Sequence, residues 1–94
     1  METEMTLKQI WWAYHKQNPK VYELFERFTF EVIDAGFKHY SAMAIIQQIR
    51  WHTDVVTRGD NFKINNNHVP YYSRLFAHNH PQHADFFRFR SAGE

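Results

Sequence analysis

Cysteine is absent from this 94-residue chain, which excludes a disulfide framework and thiolate metal sites and permits a reducing compartment. Glycine is scarce, with only Gly36, Gly59 and Gly93, so there is no glycine-rich phosphate loop and no flexible linker. Leucine occurs three times, as Leu7, Leu24 and Leu75. No apolar run approaches the ~20 residues of a membrane span. The start, Met1-Glu2-Thr3-Glu4, is acidic and unlike a signal peptide. Repeats and low-complexity tracts are missing too. These absences predict a cytoplasmic protein with one domain over residues 1–94, frayed at 1–5 and 91–94.

Aromatic residues are plentiful: nine Phe, five Tyr and three Trp, 18% of the chain. Each buried ring removes about 150–250 Å² from water, so the core is expected to be built from rings. Net charge is +1 with histidines neutral, but it is unevenly spread. Residues 1–36 carry −2 and residues 37–94 carry +3, with six of the seven histidines in the second stretch.

Apolar spacing predicts a first helix over 6–17, with Leu7, Ile10, Trp11 and Tyr14 as its buried stripe. Trp12 falls off that stripe. Asn18-Pro19 ends this helix and starts the next, with asparagine as N-cap and proline at the first helical position. The second helix, 19–35, buries Val21, Leu24, Phe25, Phe28 and Val32, and Gly36 is placed to end it in a left-handed cap. A third helix, 42–56, follows Ser41 as N-cap, with Ala42, Ile45, Ile46, Ile49 and Val56 inward and Gln47, Arg50 and Asp54 on the wet face. Trp51 and His52 read as packing on its second face. Arg58-Gly59-Asp60-Asn61 is a turn signal. Phe62-Lys63-Ile64 and Phe86-Phe87-Arg88-Phe89-Arg90 alternate and predict two short pairing strands. Between them a fourth helix runs from Val69 or Pro70 to Asn79, with Tyr72, Leu75 and Phe76 inward.

The expected fold class is therefore mainly α with a small two-stranded β element: winged-helix or helix-turn-helix-like, or a small helical bundle. About 12 residues separate the third and fourth helices, against the 3–4 of a helix-turn-helix, which keeps the bundle open.

Chemistry concentrates in the second half. Lys63 suits a phosphate, and Asn65, Asn66 and Asn67 suit a helix cap or adenine edges. Tyr71, Arg74 and His78 fall on the outer face of the fourth helix, and Arg88 and Arg90 alternate with aromatics as a wing would present them. Together they predict a phosphate-contacting surface. The alternative is a protein interface made of Trp12 and Phe30 with the acidic residues Glu23, Glu26, Glu31 and Asp34. His78, His80 and His83 are close in sequence, but Pro81 breaks their spacing, so no metal site is predicted and a solvated loop is expected. No nucleophile has a recognisable frame, so neither catalytic residues nor a cofactor is expected. A metal- or histidine-dependent hydrolase is the remaining enzymatic reading.

The succession Tyr40-Ser41-Ala42, Ile49-Arg50-Trp51-His52, Phe62-Lys63-Ile64-Asn65-Asn66-Asn67, Tyr72-Ser73-Arg74-Leu75-Phe76 and Pro81 resembles small uncharacterised proteins of bacteria and their phages, over residues 37–90. The resemblance implies a context, DNA-binding regulators or inhibitors of host systems, and carries no site residue with it. The expected function is a small nucleic-acid-binding accessory or regulatory protein, DNA being the expected partner. The alternative is a protein-binding inhibitor or adaptor, phage-encoded and directed at a host nucleic-acid-processing or defence complex. A homodimer fits the first reading, because one small module covers only a half-site. Neither a membrane nor a small-molecule substrate is expected as partner.

Overall fold

The computed structural model describes residues 5–57 and 63–87. It is mainly helical. The four α-helices of the described residues are α1 (Leu7–Gln17), α2 (Pro19–Asp34), α3 (Ala42–Trp51) and α4 (Val69–Asn79). A π-helical turn, His52–Thr57, continues α3, and 3-10 turns at Asn66–His68 and Pro81–His83 flank α4. No described helix is long and apolar enough to cross a membrane.

Local chemistry explains the helix ends. Thr6 and Gln9 form a reciprocal capping box: the Gln9 N–H donates to Thr6 Oγ1 at 3.1 Å and the Thr6 N–H to Gln9 Oε1 at 2.8 Å. Ser41 Oγ caps α3 through the Ala44 N–H at 3.2 Å. Gly36, at φ +101°, closes α2: its N–H reaches the Ile33 carbonyl and the Phe37 N–H reaches that of Val32, the paired bonds of a Schellman motif. Asn18 differs from expectation. Its side chain makes no N-cap bond to α2 and instead donates to the Tyr14 carbonyl at 3.1 Å, finishing α1.

The core lies among α2, α3 and α4. Val21, Phe25, Phe28, Ile45, Ile46, Ile49, Tyr72 and Phe76 are its buried centre. The Phe25 and Tyr72 rings stack with centroids 5.8 Å apart, and Phe87 meets both Phe25 and Phe76 edgewise or tilted. Ile64, Val69 and Phe86 close the edges.

The expected two-stranded element does not form among the described residues. Ile64 and Phe86–Phe87 are buried anchors instead, each inserted into a helical core, and the only ladder contact described is an isolated parallel bridge, Tyr40 to Phe87. Phe86 and Phe87 are adjacent and both buried, so this run follows the core rather than a strand's alternation. Phe62, Arg88, Phe89, Arg90 and the 58–61 turn signal lie outside the described residues.

Three further expectations change. α3 stops as an α-helix at Trp51, where the Thr53 hydroxyl donates to the Arg50 carbonyl at 3.2 Å and a β-branched run begins. The wider π turn rotates Val56 out of the apolar stripe, leaving it 55% exposed beside Val55 and Trp51. Arg50, expected on the wet face, is half-buried and holds the approach to α4: its Nη2 donates to the Ile64 carbonyl at 2.7 Å and to Asn66 Oδ1 at 2.6 Å. On α1 only Trp11 is buried, while Leu7 and Ile10 of the expected stripe are exposed.

Candidate functional site

α1 and α4 face each other across a cleft of about 310 Å³. From α1 come Lys8, Trp11 and Trp12, spaced i, i+3, i+4 along one face. From α4 come Tyr71, Arg74, Leu75 and His78, spaced i, i+3, i+4, i+7. Both helices point the same kinds of side chain inward, aromatic or aliphatic at the base and cationic or imidazole at the rim. No carboxylate of the described residues lines the cleft.

Its base is a column of rings. Trp11 lies nearly parallel to His15 on one contact (5.6 Å, 10°) and to Tyr71 on another (5.5 Å, 21°). The Arg74 guanidinium sits 5.5 Å from the centre of the Tyr71 ring, a cation–π contact that fixes the arginine at the mouth. Trp12 is tilted 59° from Trp11 and stays 46% exposed, so the cleft keeps an uncovered indole surface.

Behind the column lies an unusual group of buried polar atoms. Tyr14 Oη, His15 Nδ1 and both His68 ring nitrogens are enclosed without a hydrogen-bond partner among the described residues, and Trp11 Nε1 and Tyr72 Oη are enclosed beside them, close enough that the indole N–H favours the Tyr72 phenolate. Burial accordingly favours the neutral form of each titratable member. The His15 and His68 imidazoles are pushed down, and the Tyr14 and Tyr72 phenols are pushed up. Tyr22, at the neighbouring end of α2, is pushed up to about 12, again mainly by burial, although Asn79 Nδ2 donates to its oxygen at 3.0 Å and opposes the shift.

The expected site residues divide. Tyr71, Arg74 and His78 come together in the cleft, joined there by Trp12 from the alternative set. Two asparagines are engaged internally: Asn65 Oδ1 accepts the Asn67 N–H at 2.8 Å, and Asn66 Oδ1 accepts from Arg50. Lys63 and Asn67 are exposed before α4, away from the cleft lining. Arg88 and Arg90 lie outside the described residues.

Among the acidic set, Glu26 is tied inward. Its Oε2 meets His80 Nε2 at 2.6 Å and accepts from Tyr22 Oη at 3.4 Å, which couples α2 to the end of α4. Phe30 packs on Phe76, His80 and His83. Glu23, Glu31 and Asp34 stay exposed, Glu31 pairing with Arg27 at 3.5 Å. The three expected loop histidines are separated: His78 lines the cleft, His80 holds Glu26, and His83 is half-buried against Phe30 and Phe76. Among the described residues no three His, Asp or Glu side chains converge as a metal site would require.

A second depression, about 330 Å³, lies between the end of α2 and the 81–86 segment. It mixes Lys38 with Asp85, so it selects no sign of charge. Sequence reasoning missed Lys8, Trp11 and Leu75 as cleft residues. Lys8 and Trp12 are four apart, a signal that they share a face, but nothing local shows that α4 lies opposite. No protein-family model, no curated protein and no solved structure matches the chain.

Proposed function

We propose that this chain is a small nucleic-acid-binding accessory protein and that the α1–α4 cleft is its contact surface. The observation that carries the reading is the composition of the cleft: aromatic surface from Trp12 and Tyr71, cations from Lys8 and Arg74, a histidine, and no carboxylate among the described residues. Rings take base faces and cations take phosphates, the pairing that nucleic-acid grooves use. Arg88 and Arg90, outside the described residues, are further candidate phosphate contacts, and the cleft does not depend on them.

The test is fluorescence-polarisation binding of the full chain to mixed-sequence oligonucleotides at about 50 and 200 mM salt. Micromolar binding that weakens with salt, and that Lys8→Ala with Arg74→Ala reduces, is expected. Binding that ignores salt would count against the reading.

A protein-binding inhibitor or adaptor is the second reading. It is favoured by the apolar surface of Trp51, Val55 and Val56, each more than half exposed, and by the exposed acids of α2. No binding to any nucleic acid at low salt, with a stable protein complex recovered from extract that Trp51→Ala breaks, would establish that role instead.

A further inference from the structure

We infer that the cleft takes an unpaired base, so that the ligand is a single-stranded nucleic acid rather than a duplex. The base lies on Trp12, and Lys8 and Arg74 hold the phosphates on either side. This rests on the nucleic-acid reading above and narrows it.

Three observations carry it. The first is shape. In a duplex, base faces are covered by their neighbours, and only edges and phosphates are presented in the grooves. A ring recessed between two helices cannot reach a base face there unless the base leaves the stack. At about 310 Å³ the cleft is near the lower end of the ~300–1,000 Å³ of small-ligand pockets, room for one base with its sugar.

The second is the engagement of the asparagines. Bidentate reading of adenine needs the side-chain oxygen as acceptor and the nitrogen as donor. The Asn65 oxygen already accepts the Asn67 N–H and the Asn66 oxygen already accepts from Arg50. Two of the three asparagines in the approach to α4 thus serve a structural turn, which favours the cleft over this segment as the contact surface.

The third is the division of labour within the cleft. Trp12 keeps 46% of its surface uncovered although Trp11 beside it is buried, and Lys8 stands one helical turn before it on the same face. Across the cleft, Arg74 is held over Tyr71 at 5.5 Å rather than paired with an acid. A stacking surface with a cation on each wall tracks a strand and tolerates any sequence, because every base has a π-face.

The experiment is polarisation binding of the full chain to a labelled oligonucleotide of about 12 nucleotides, single-stranded DNA or RNA, and to the matching duplex. The single strand is expected to bind about tenfold tighter or more. Trp12→Ala should weaken it by about tenfold to a hundredfold, and Trp12→Phe should retain most of the affinity. Trp51→Ala, an equally exposed ring outside the cleft, should leave it unchanged. With two phosphates neutralised on a single strand, affinity should fall about sevenfold between 50 and 200 mM salt. Arg74→Ala should halve the slope.

Equal or tighter binding to the duplex would overturn this inference and leave the nucleic-acid reading standing, as would wild-type affinity in Trp12→Ala. Absence of binding to either form at 50 mM salt would overturn both. A near-wild-type circular dichroism spectrum and melting temperature for Trp12→Ala separates loss of stacking from loss of fold.

Discussion

Replacing Arg50 by methionine should destabilise the protein by about 2–3 kcal/mol. Methionine preserves the apolar stem of the side chain and removes only the guanidinium. The wild-type group makes two charge-assisted bonds, to the half-buried Ile64 carbonyl at 2.7 Å and to the more exposed Asn66 oxygen at 2.6 Å. A hydrogen bond to a charged group contributes roughly 1.5–3 kcal/mol net. The first bond counts nearly in full, because its loss strands a carbonyl next to Ile64, which is 7% exposed. The second is discounted because water can replace it. For a domain of this size each kcal/mol moves the melting temperature by about 4–8 °C, so a fall of about 10–20 °C is expected. Thermal melts followed by far-ultraviolet circular dichroism measure it, with urea unfolding to confirm that the m-value is unchanged. Arg50→Lys should lose about half as much, since the ammonium keeps the charge and enough donors for both acceptors but lacks the planar group that aims one nitrogen at the two. A midpoint for Arg50→Met within ~2 °C of wild type would refute the idea that this arginine fastens the approach to α4.

Stability should also respond to pH on both sides of neutrality. His15 and His68 are pushed down by burial. Below about 6.5 the unfolded chain therefore takes up protons that the folded chain resists, and stability falls as pH drops through that value. Tyr14, Tyr22 and Tyr72 are pushed up, so above about 10 the unfolded chain loses protons first and stability falls as pH rises towards the folded value of Tyr22, about 12. Melting temperatures should form a plateau between those limits, and a constant value from pH 7 to 5.5 would contradict the histidine half. Tyr14→Phe is expected to be neutral or stabilising, by up to about 1–3 kcal/mol, because its hydroxyl is buried with no partner among the described residues. Tyr22→Phe should instead lose about 1 kcal/mol with its Asn79 and Glu26 bonds. Chemical denaturation of the two variants side by side decides the point, and a Tyr14→Phe variant weaker than wild type would show that the hydroxyl is hydrogen-bonded in solution.

The helices were legible because their signals are local. Asn18-Pro19, Gly36 and Ser41 each mark a boundary within one residue of where it falls, and Thr6 with Gln9 is a capping signature that could have been read as well. The described parts of the two expected strands, 63–64 and 86–87, were not, because a short apolar run looks the same whether it pairs as a strand or drops anchors such as Ile64 and Phe87 into a helical core. Leu7 and Ile10 show the limit of periodicity. It identifies an apolar face but not what covers it, and here both remain exposed. Arg50 bonds across 14 and 16 residues, and His80 reaches Glu26 across 54. Such pairings depend on how helices cross, which no local window contains. The cleft was half visible for the same reason: Tyr71, Arg74 and His78 were recognised on α4, while Lys8 and Trp12 on α1 were not seen to stand opposite them.

The way α1 is attached has a consequence for how such a cleft would work. This helix buries one residue, Trp11, and most of the polar atoms enclosed around that contact gain no hydrogen bonds among the described residues in return for leaving water. Its attachment is therefore the weakest of the four helices, and one wall of the cleft stands or falls with it. A ligand seated between Lys8, Trp12 and Arg74 would draw free energy from the docked arrangement alone, so occupancy and docking of α1 become linked equilibria. The apparent affinity then carries the docked fraction as a factor, and the first helix acts as a latch whose closing is shared between the fold and its ligand.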